Sequence, residues 1–410
     1  ALSWPRRRRG RALMDTRPLT VAWCSYFPVE WLPDAPEVIR RLPRRHPASW
    51  LQAGVEEFKQ RDNLKLHVIE LRKGLREDVT FDSGRVTFHC LKVPGGLRAP
   101  TLFWLDTFLI RRRLKQVRPD AIHAWGSEKG AALVASRLAY PYLVSLQGLM
   151  QYFSELLDLK TYERAAAWFE RVSLRRARVA SGESTFVVNW LRRHYPHLEV
   201  HHVEHTPTWT FYGVKREPET RPIQFLFIGS IGYRKGTDLL LLALDRLRKE
   251  LDFRLTLIGF SADAEFLDRL KSQTSAELWD RVNLLRTAPT SQVLEHMGRA
   301  TMVLFPTRAD TGPVAVKEAV IAGVPVIGSA MGGIPDYVAP GKNGLIFPPG
   351  DLEGFTHAIR QACAHPLFSR GQVDPAALAD VRERLSPRRM ADGFLQIYQR
   401  LAKRPEARAS

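Results

Sequence analysis

Residues 225–247 read FLFIGSIGYRKGTDLLLLALDRL. A large apolar run ends at Gly229, a loop carries Gly232 and Gly236, and a leucine-rich helical stretch follows. A strand passing through a glycine loop straight into a helix is half of a βαβ unit, and its unbroken apolar character marks burial on both faces. The runs FRLTLIG, RVNLLR, ATMVLFP and VPVIG continue the series; LTVAWCSYF, LKLHVIEL, VTFHCLKV, DAIHAW and YLVSLQ form an earlier one. Together they predict an α/β protein of two doubly wound, Rossmann-like parallel-sheet domains whose strand ends face a central cleft. The turn-rich stretch TPTWTFYGVKREPETRP at 206–222 marks the seam. The expected division is 14–206, 207–385 and a terminal helix over 386–404, where Met390, Phe394, Ile397, Tyr398 and Leu401 recur at helical spacing.

The bulk properties agree with two or three folded domains. The chain has 410 residues, 45% hydrophobic and 10% aromatic, which excludes collagen, a mini-protein and a disordered tail. No 18-residue uncharged apolar run occurs, so no membrane-spanning helix is expected. Cys24, Cys90 and Cys363 fit neither a disulfide framework nor a zinc site, which points to the cytoplasm. Residues 1–13, ALSWPRRRRGRAL, lack the apolar part of a signal peptide; Met14 reads as a start, and the leader as disordered or a start-site artefact. The net charge is +18, with 34 basic against 21 acidic residues in 1–214 and 27 against 22 in 215–410. The first half is therefore the more basic, a surface that attracts phosphates of any origin.

Two segments carry chemistry. In the loop Gly229–Gly236, glycines permit close backbone approach, and Arg234 and Lys235 add positive charge at a helix start, as a phosphate site requires. An ordinary strand-to-helix turn with a solvated Arg-Lys pair is the alternative. The second segment is FPTRADTGPVAVKEAVIAGVPVIGSAMGGIPDYVAPGKNGLIFPPGD, 305–351. Gly312 and Pro313 precede a short helix that begins near Val314 and closes at Gly323, with Asp310 ahead of it and Glu318 within it. Both carboxylates can face one ligand near the helix N-terminus. A carboxylate accepts two hydrogen bonds from a vicinal diol such as a ribose, while helix N–H groups hold the attached phosphate.

These pieces resemble the donor-binding domain of the family 4 (group 1) retaining glycosyltransferases, which have the GT-B fold. The resemblance covers residues 222–351: the G-x6-G loop with Lys235 before its last glycine, the acid-x7-acid pair Asp310 and Glu318, the run from Glu318 to Val338, and the GKNGLIFPPGD ending. It implies a nucleoside diphosphate sugar as donor, UDP-linked by preference and GDP-linked as second choice, with no cofactor and no bound metal. On that basis Glu318 binds the ribose, Asp310 contacts the sugar near its reacting carbon, and Lys235 with Arg234 holds the diphosphate. Gly229, Ser230 and the helix start at Gly312, Pro313 and Val314 complete the donor site, with backbone near Arg286 against the base. Two positions depart from the family: Asp310 stands where Glu is usual, and Ser230 where an Arg commonly follows the first glycine.

The first half resembles the family more loosely, through RPDAIHAWGSEKGAALVA and YLVSLQGL. Gln147 stands where a histidine is frequent; it can bind a sugar but cannot shuttle a proton. His123 is then the candidate for the cleft, against the alternative of a core histidine at the end of a strand. Gln147 and Glu183 are the expected acceptor contacts. Glu128, Ser184, Glu204 and His205 are weighed beside them. The resemblance implies a saccharide or lipid-linked acceptor and a terminal helix that crosses back to the first domain, rather than capping its own. In TLFWLDTFLIRRRLKQVRPD, Leu102, Leu105, Phe108 and Leu109 form a stripe followed by Arg111, Arg112, Arg113, Lys115 and Arg118. That stripe either packs on the sheet or lies on an anionic membrane, which would make the protein peripheral on the inner face. The rival functions are a nucleotide-sugar-binding scaffold without turnover and a nucleic-acid binder. Against the latter, the basic residues are not interleaved with aromatic platforms.

Overall fold

A computed structural model describes residues 17–46, 48–261 and 263–403; the leader 1–13 and Met14 lie outside them. The first sheet has eight strands: β1 (Leu19–Cys24), β2 (Leu64–Arg72), β3 (Val79–Ser83), β4 (Val86–Lys92), β5 (Ala121–Trp125), β6 (Tyr142–Ser145), β7 (Val179–Gly182) and β8 (Glu199–His202). Their order is β3-β4-β2-β1-β5-β6-β7-β8, parallel except where β3 pairs with β4. The second sheet is wholly parallel, from β9 (Ile223–Ile228), β10 (Phe253–Ile258), β11 (Val282–Leu285), β12 (Met302–Phe305), β13 (Val326–Ser329) and β14 (Gly344–Phe347), in the order β11-β10-β9-β12-β13-β14. Both sheets are doubly wound α/β layers with helices on either face. The strand order reverses between β1 and β5 in one sheet and between β9 and β12 in the other, and it is outside the carboxyl ends at such points that ligands bind.

Alternate residues of each central strand feed two cores. Val21 and Trp23 of β1 pack in one cluster, Ala22 and Cys24 in another; Phe225 and Phe227 of β9 are likewise separated from Leu226. The helix Pro387–Ala402 starts behind the cap Ser386 and sinks Met390, Phe394, Ile397, Tyr398 and Leu401 into the first of these clusters, against the helix Ser49–Lys59. The last described helix thus packs on the first domain.

The helix Trp104–Val117 divides the 102–109 stripe. Leu105 and Leu109 pack toward the core beside buried Ile110 and Leu114, whereas Leu102, Trp104 and Phe108 are exposed. The expected single stripe is corrected accordingly: the four residues do not share one face. Among the described residues no helix is long and apolar enough to cross a membrane.

Candidate functional site

The cleft-side site is assembled on the β9/β12 reversal. Gly236 caps the helix Thr237–Leu247 with φ +69°, and a Cβ there would stand 1.8 Å from the Pro306 carbonyl oxygen, so only glycine lets the loop after β9 lie against the loop after β12. That approach brings Lys235 onto Asp310: the ammonium donates to Oδ2 in a short ion pair, and both groups are largely buried. Burial opposes charge on Asp310, but the Lys235 ammonium and Arg234 guanidinium outweigh it and hold the carboxyl below its usual range. Burial draws Lys235 below the usual ammonium range, with Asp310 opposing. The Arg234 guanidinium donates to the Ala309 carbonyl at 3.1 Å and lies 5.4 Å from the ring centre of Phe153, which belongs to the other domain. Arg308 braces the loop, forking onto Asp238 with two 2.7 Å bonds and stacking on Tyr233.

The helix Val314–Ala322 begins after Pro313, and its first N–H groups have no intrahelical partner, so its start offers donors to an anion. Glu318, one turn on, is half-buried and pushed up to about 8 by desolvation. Its partner is the Ser49 hydroxyl of the first domain, at 3.2 Å from Oε1. Ser230 is exposed at the loop start, Gly229 is half-buried, and Arg286 is exposed just beyond the carboxyl end of β11. The donor-side candidates therefore lie beyond the carboxyl ends of β9, β11 and β12 in one parallel sheet.

On the first domain, Gln147 follows β6, half-buried and without a side-chain hydrogen bond among the described residues. Glu183 follows β7 and is buried: it accepts from the Thr311 hydroxyl at 3.0 Å, and its Oε2 is 3.5 Å from Lys317 Nζ and 3.4 Å from His205 Nδ1. Gly312 packs on it so closely that a Cβ would meet its carboxyl carbon at 2.7 Å. Every carboxylate oxygen of Glu183 is thus engaged inside the protein, so the expectation that it contacts an acceptor is corrected to a role in joining the domains.

His123 requires a second correction. It is 0% exposed, with Nδ1 2.6 Å from the Tyr398 hydroxyl and Nε2 2.6 Å from Ser145 Oγ, among Trp23, Trp125 and Phe394. Burial drives its pKa well below the usual imidazole value. With both nitrogens engaged under the terminal helix, it is a core histidine without access to the cleft. Lys317, Thr311, Tyr337 and Ser49 were not anticipated. Only Lys317 left a sign, as a cation inside the apolar run VAVKEAVIA.

Comparison with known proteins bears on the family and the fold. The family model "Glycosyl transferases group 1" matches residues 212–374, and "Glycosyl transferase 4-like domain" matches 60–204. A GDP-mannose-dependent alpha-mannosyltransferase of Mycolicibacterium smegmatis is 26% identical over 72% of this chain and 78% of its own length. A glycogen synthase of Mycobacterium tuberculosis is 25% identical over 45% of this chain, and the match spans only 42% of that relative's length. Among solved structures, sucrose-phosphate synthase from Thermosynechococcus elongatus superposes with a TM-score of 0.77 at 16% identity, covering 93% of this chain and 99% of that one. Anabaena HepE in complex with UDP-glucose superposes with a TM-score of 0.67 at 14% identity, covering 93% and 100%. With both halves matched by their respective family models and the two-sheet fold shared with glycosyltransferase structures, the chain belongs to the group 1, family 4-like glycosyltransferases of GT-B fold.

Proposed function

We propose that the protein transfers a hexosyl group from a nucleoside diphosphate to a hydroxyl acceptor, with retention of anomeric configuration and without a bound metal, in the synthesis of a polysaccharide, lipopolysaccharide or glycolipid. The observation that carries this reading is the Lys235–Asp310 pair set between a glycine loop and the start of the helix Val314–Ala322. A diphosphate in that position meets Lys235, Arg234 and the helix N–H groups, which neutralise the charge that grows as the sugar–oxygen bond breaks. Asp310 then faces the sugar and stabilises a cationic anomeric carbon. The acceptor oxygen bonds to that carbon from the face the diphosphate leaves, and its proton passes to the departing phosphate oxygen. Glu318 takes the ribose hydroxyls. UDP is the first choice of nucleotide, as in the complexed HepE, and GDP the second, as in the mannosyltransferase relative.

The acceptor side is the first domain, where Gln147 lies half-buried beyond β6 with no side-chain hydrogen bond among the described residues. Trp104 and Phe108, 55% and 64% exposed, sit beside exposed Arg111, Arg112, Lys115 and Arg118, which supports peripheral contact with an anionic membrane on its cytoplasmic face and hence a lipid-linked acceptor.

Thermal shift with UDP, GDP and ADP, each with and without EDTA, on wild type and Glu318→Ala tests the donor site. A ligand at 100 times its Kd stabilises by about 2.7 kcal/mol. An EDTA-insensitive shift with one nucleotide, lost in the variant, is expected. Product analysis by NMR then decides stereochemistry, and an inverted product would sink the mechanism. Nucleotide binding without any turnover would instead favour a scaffold.

A further inference from the structure

Lys317 precedes Glu318 in the helix Val314–Ala322, yet it is 0% exposed. Its Nζ donates to the His205 carbonyl at 3.0 Å, lies 3.4 Å from the Glu183 carbonyl, and stands 3.2 Å from Glu204 Oε2 and 3.5 Å from Glu183 Oε2. All of these oxygens belong to the first domain; among the described residues no carboxylate of its own domain pairs with it. The same seam holds the neighbouring loop. Ser184 Oγ donates to the Thr311 carbonyl at 2.8 Å, the Thr185 N–H to Asp336 Oδ2 at 2.8 Å, and the Tyr337 hydroxyl is 3.0 Å from Glu204 Oε2. Burial raises the Glu204 pKa, but Lys317 and His202 outweigh it and keep the carboxyl below its usual range.

A charge that stays buried needs a partner, and the carboxylates that compensate Lys317 lie across the seam, so its burial is compensated only while the domains pack in this register. Successive helical side chains point about 100° apart, so a helix that fixes Lys317 in the seam also fixes Glu318 toward Ser49 and the cleft. We propose that Lys317 is a positioning residue: neutralised only by Glu183 and Glu204 of the other domain, it holds residues 311–318 in one register against that domain and so keeps the two walls of the cleft in alignment. Nothing in this depends on which ligand the cleft takes.

Amide hydrogen exchange and small-angle scattering on the full chain test the proposal with Lys317→Met, which keeps length and removes charge. Protection at 184–188 and 311–317 is expected to fall at least about tenfold, while β1 and β9 keep theirs, and the radius of gyration is expected to rise. Wild-type protection at the seam, or an equal loss in both sheets, overturns the proposal. If Lys317→Met does not fold, Glu204→Gln leaves Glu183 as counter-charge and is read by the same criteria, with a loss of about threefold expected at 311–317. A further readout separates positioning from mere stability: kcat for transfer, or for donor hydrolysis, should drop about tenfold with UDP affinity changed less than about threefold. Lower Tm with unchanged kcat and exchange marks a structural role only and overturns the proposal. The exchange arm remains readable if no nucleotide binds, so a failure of the proposed donor chemistry is told apart from a failure of this one.

Discussion

Ser49 of the first domain and Glu318 of the second, 269 residues apart in sequence, meet across the cleft through a 3.2 Å hydrogen bond. Ser49 opens the helix Ser49–Lys59, which the terminal helix packs against, so one short contact links Glu318 to the element that ties both domains together.

The Glu318 carboxyl has a pKa of about 8 in the folded chain against 4.5 when free in solvent. Keeping it protonated favours folding fully below about pH 4.5, and that contribution is lost as pH rises through about 8, because the unfolded chain then binds fewer protons than the native one. Relative to wild type, Glu318→Gln is expected to gain Tm progressively between pH 5 and 8, checked by paired melts across that range. A ribose hydroxyl donating to the ionised form reverses the preference. UDP binding near pH 7 should therefore release close to one proton from Glu318, read by calorimetry in buffers of differing ionisation enthalpy; in Glu318→Gln the release should fall by that amount.

Lys235 and Asp310 are predicted to fail differently. Lys235→Ala leaves Asp310 buried without its partner and, on the proposed mechanism, removes the cation that faces the leaving diphosphate, so kcat should fall by about 10²–10³ with weaker UDP binding. Asp310→Asn keeps size but replaces one of two accepting oxygens by a donor, so the charge and one of the bonds from Lys235 and the Thr311 N–H are lost. Lys235, Arg234 and the helix start remain, so nucleotide affinity should stay near wild type while turnover falls. Steady-state kinetics with a separate UDP titration makes the comparison; equal loss of binding in both variants would count against the separate roles.

How much of this was legible in sequence follows from the range of each interaction. The loop Gly229–Gly236 and the helix from Val314 are local patterns, and they form where the spacing of glycines and apolar residues puts them. β7 (VASG) and β14 (GLIF) are four-residue strands whose pairing comes from their neighbours, so their own residues gave little sign. His123 is buried by a helix 275 residues downstream, and Lys317 is neutralised by acids at 183 and 204. Such pairings leave no periodic trace; a lysine within an apolar run signals only that some partner exists.

Tyr398 tests the attachment of the terminal helix. Its hydroxyl accepts from Trp23 Nε1 at 3.0 Å and meets His123 Nδ1 at 2.6 Å, all buried. Tyr398→Phe keeps the ring but leaves two buried polar groups unpaired, a cost of about 1–3 kcal/mol for each group. Lower stability in urea melts, with kcat of the folded enzyme unchanged at permissive temperature, is expected. A loss of kcat without loss of stability would return His123 to a catalytic role.

The exposed edge of the helix Trp104–Val117 makes the last prediction. Leu102, Trp104 and Phe108 project to solvent, with the Arg137 guanidinium 4.3 Å from the Trp104 ring centre and exposed Arg111, Arg112 and Lys115 along the same helix. Each basic residue near an anionic surface contributes about 1 kcal/mol, and aromatic side chains add apolar insertion. The protein should therefore float with vesicles containing phosphatidylglycerol and not with pure phosphatidylcholine. Arg111→Gln/Arg112→Gln should weaken the anionic-lipid dependence and its sensitivity to salt. Trp104→Ser/Phe108→Ser should weaken binding at every salt concentration, since insertion is not screened. Both double variants leave the donor side untouched, so UDP affinity should hold in each. Flotation of both variants equal to wild type would show that this face does not meet a membrane, and the exposed aromatics would then need a protein partner to explain them.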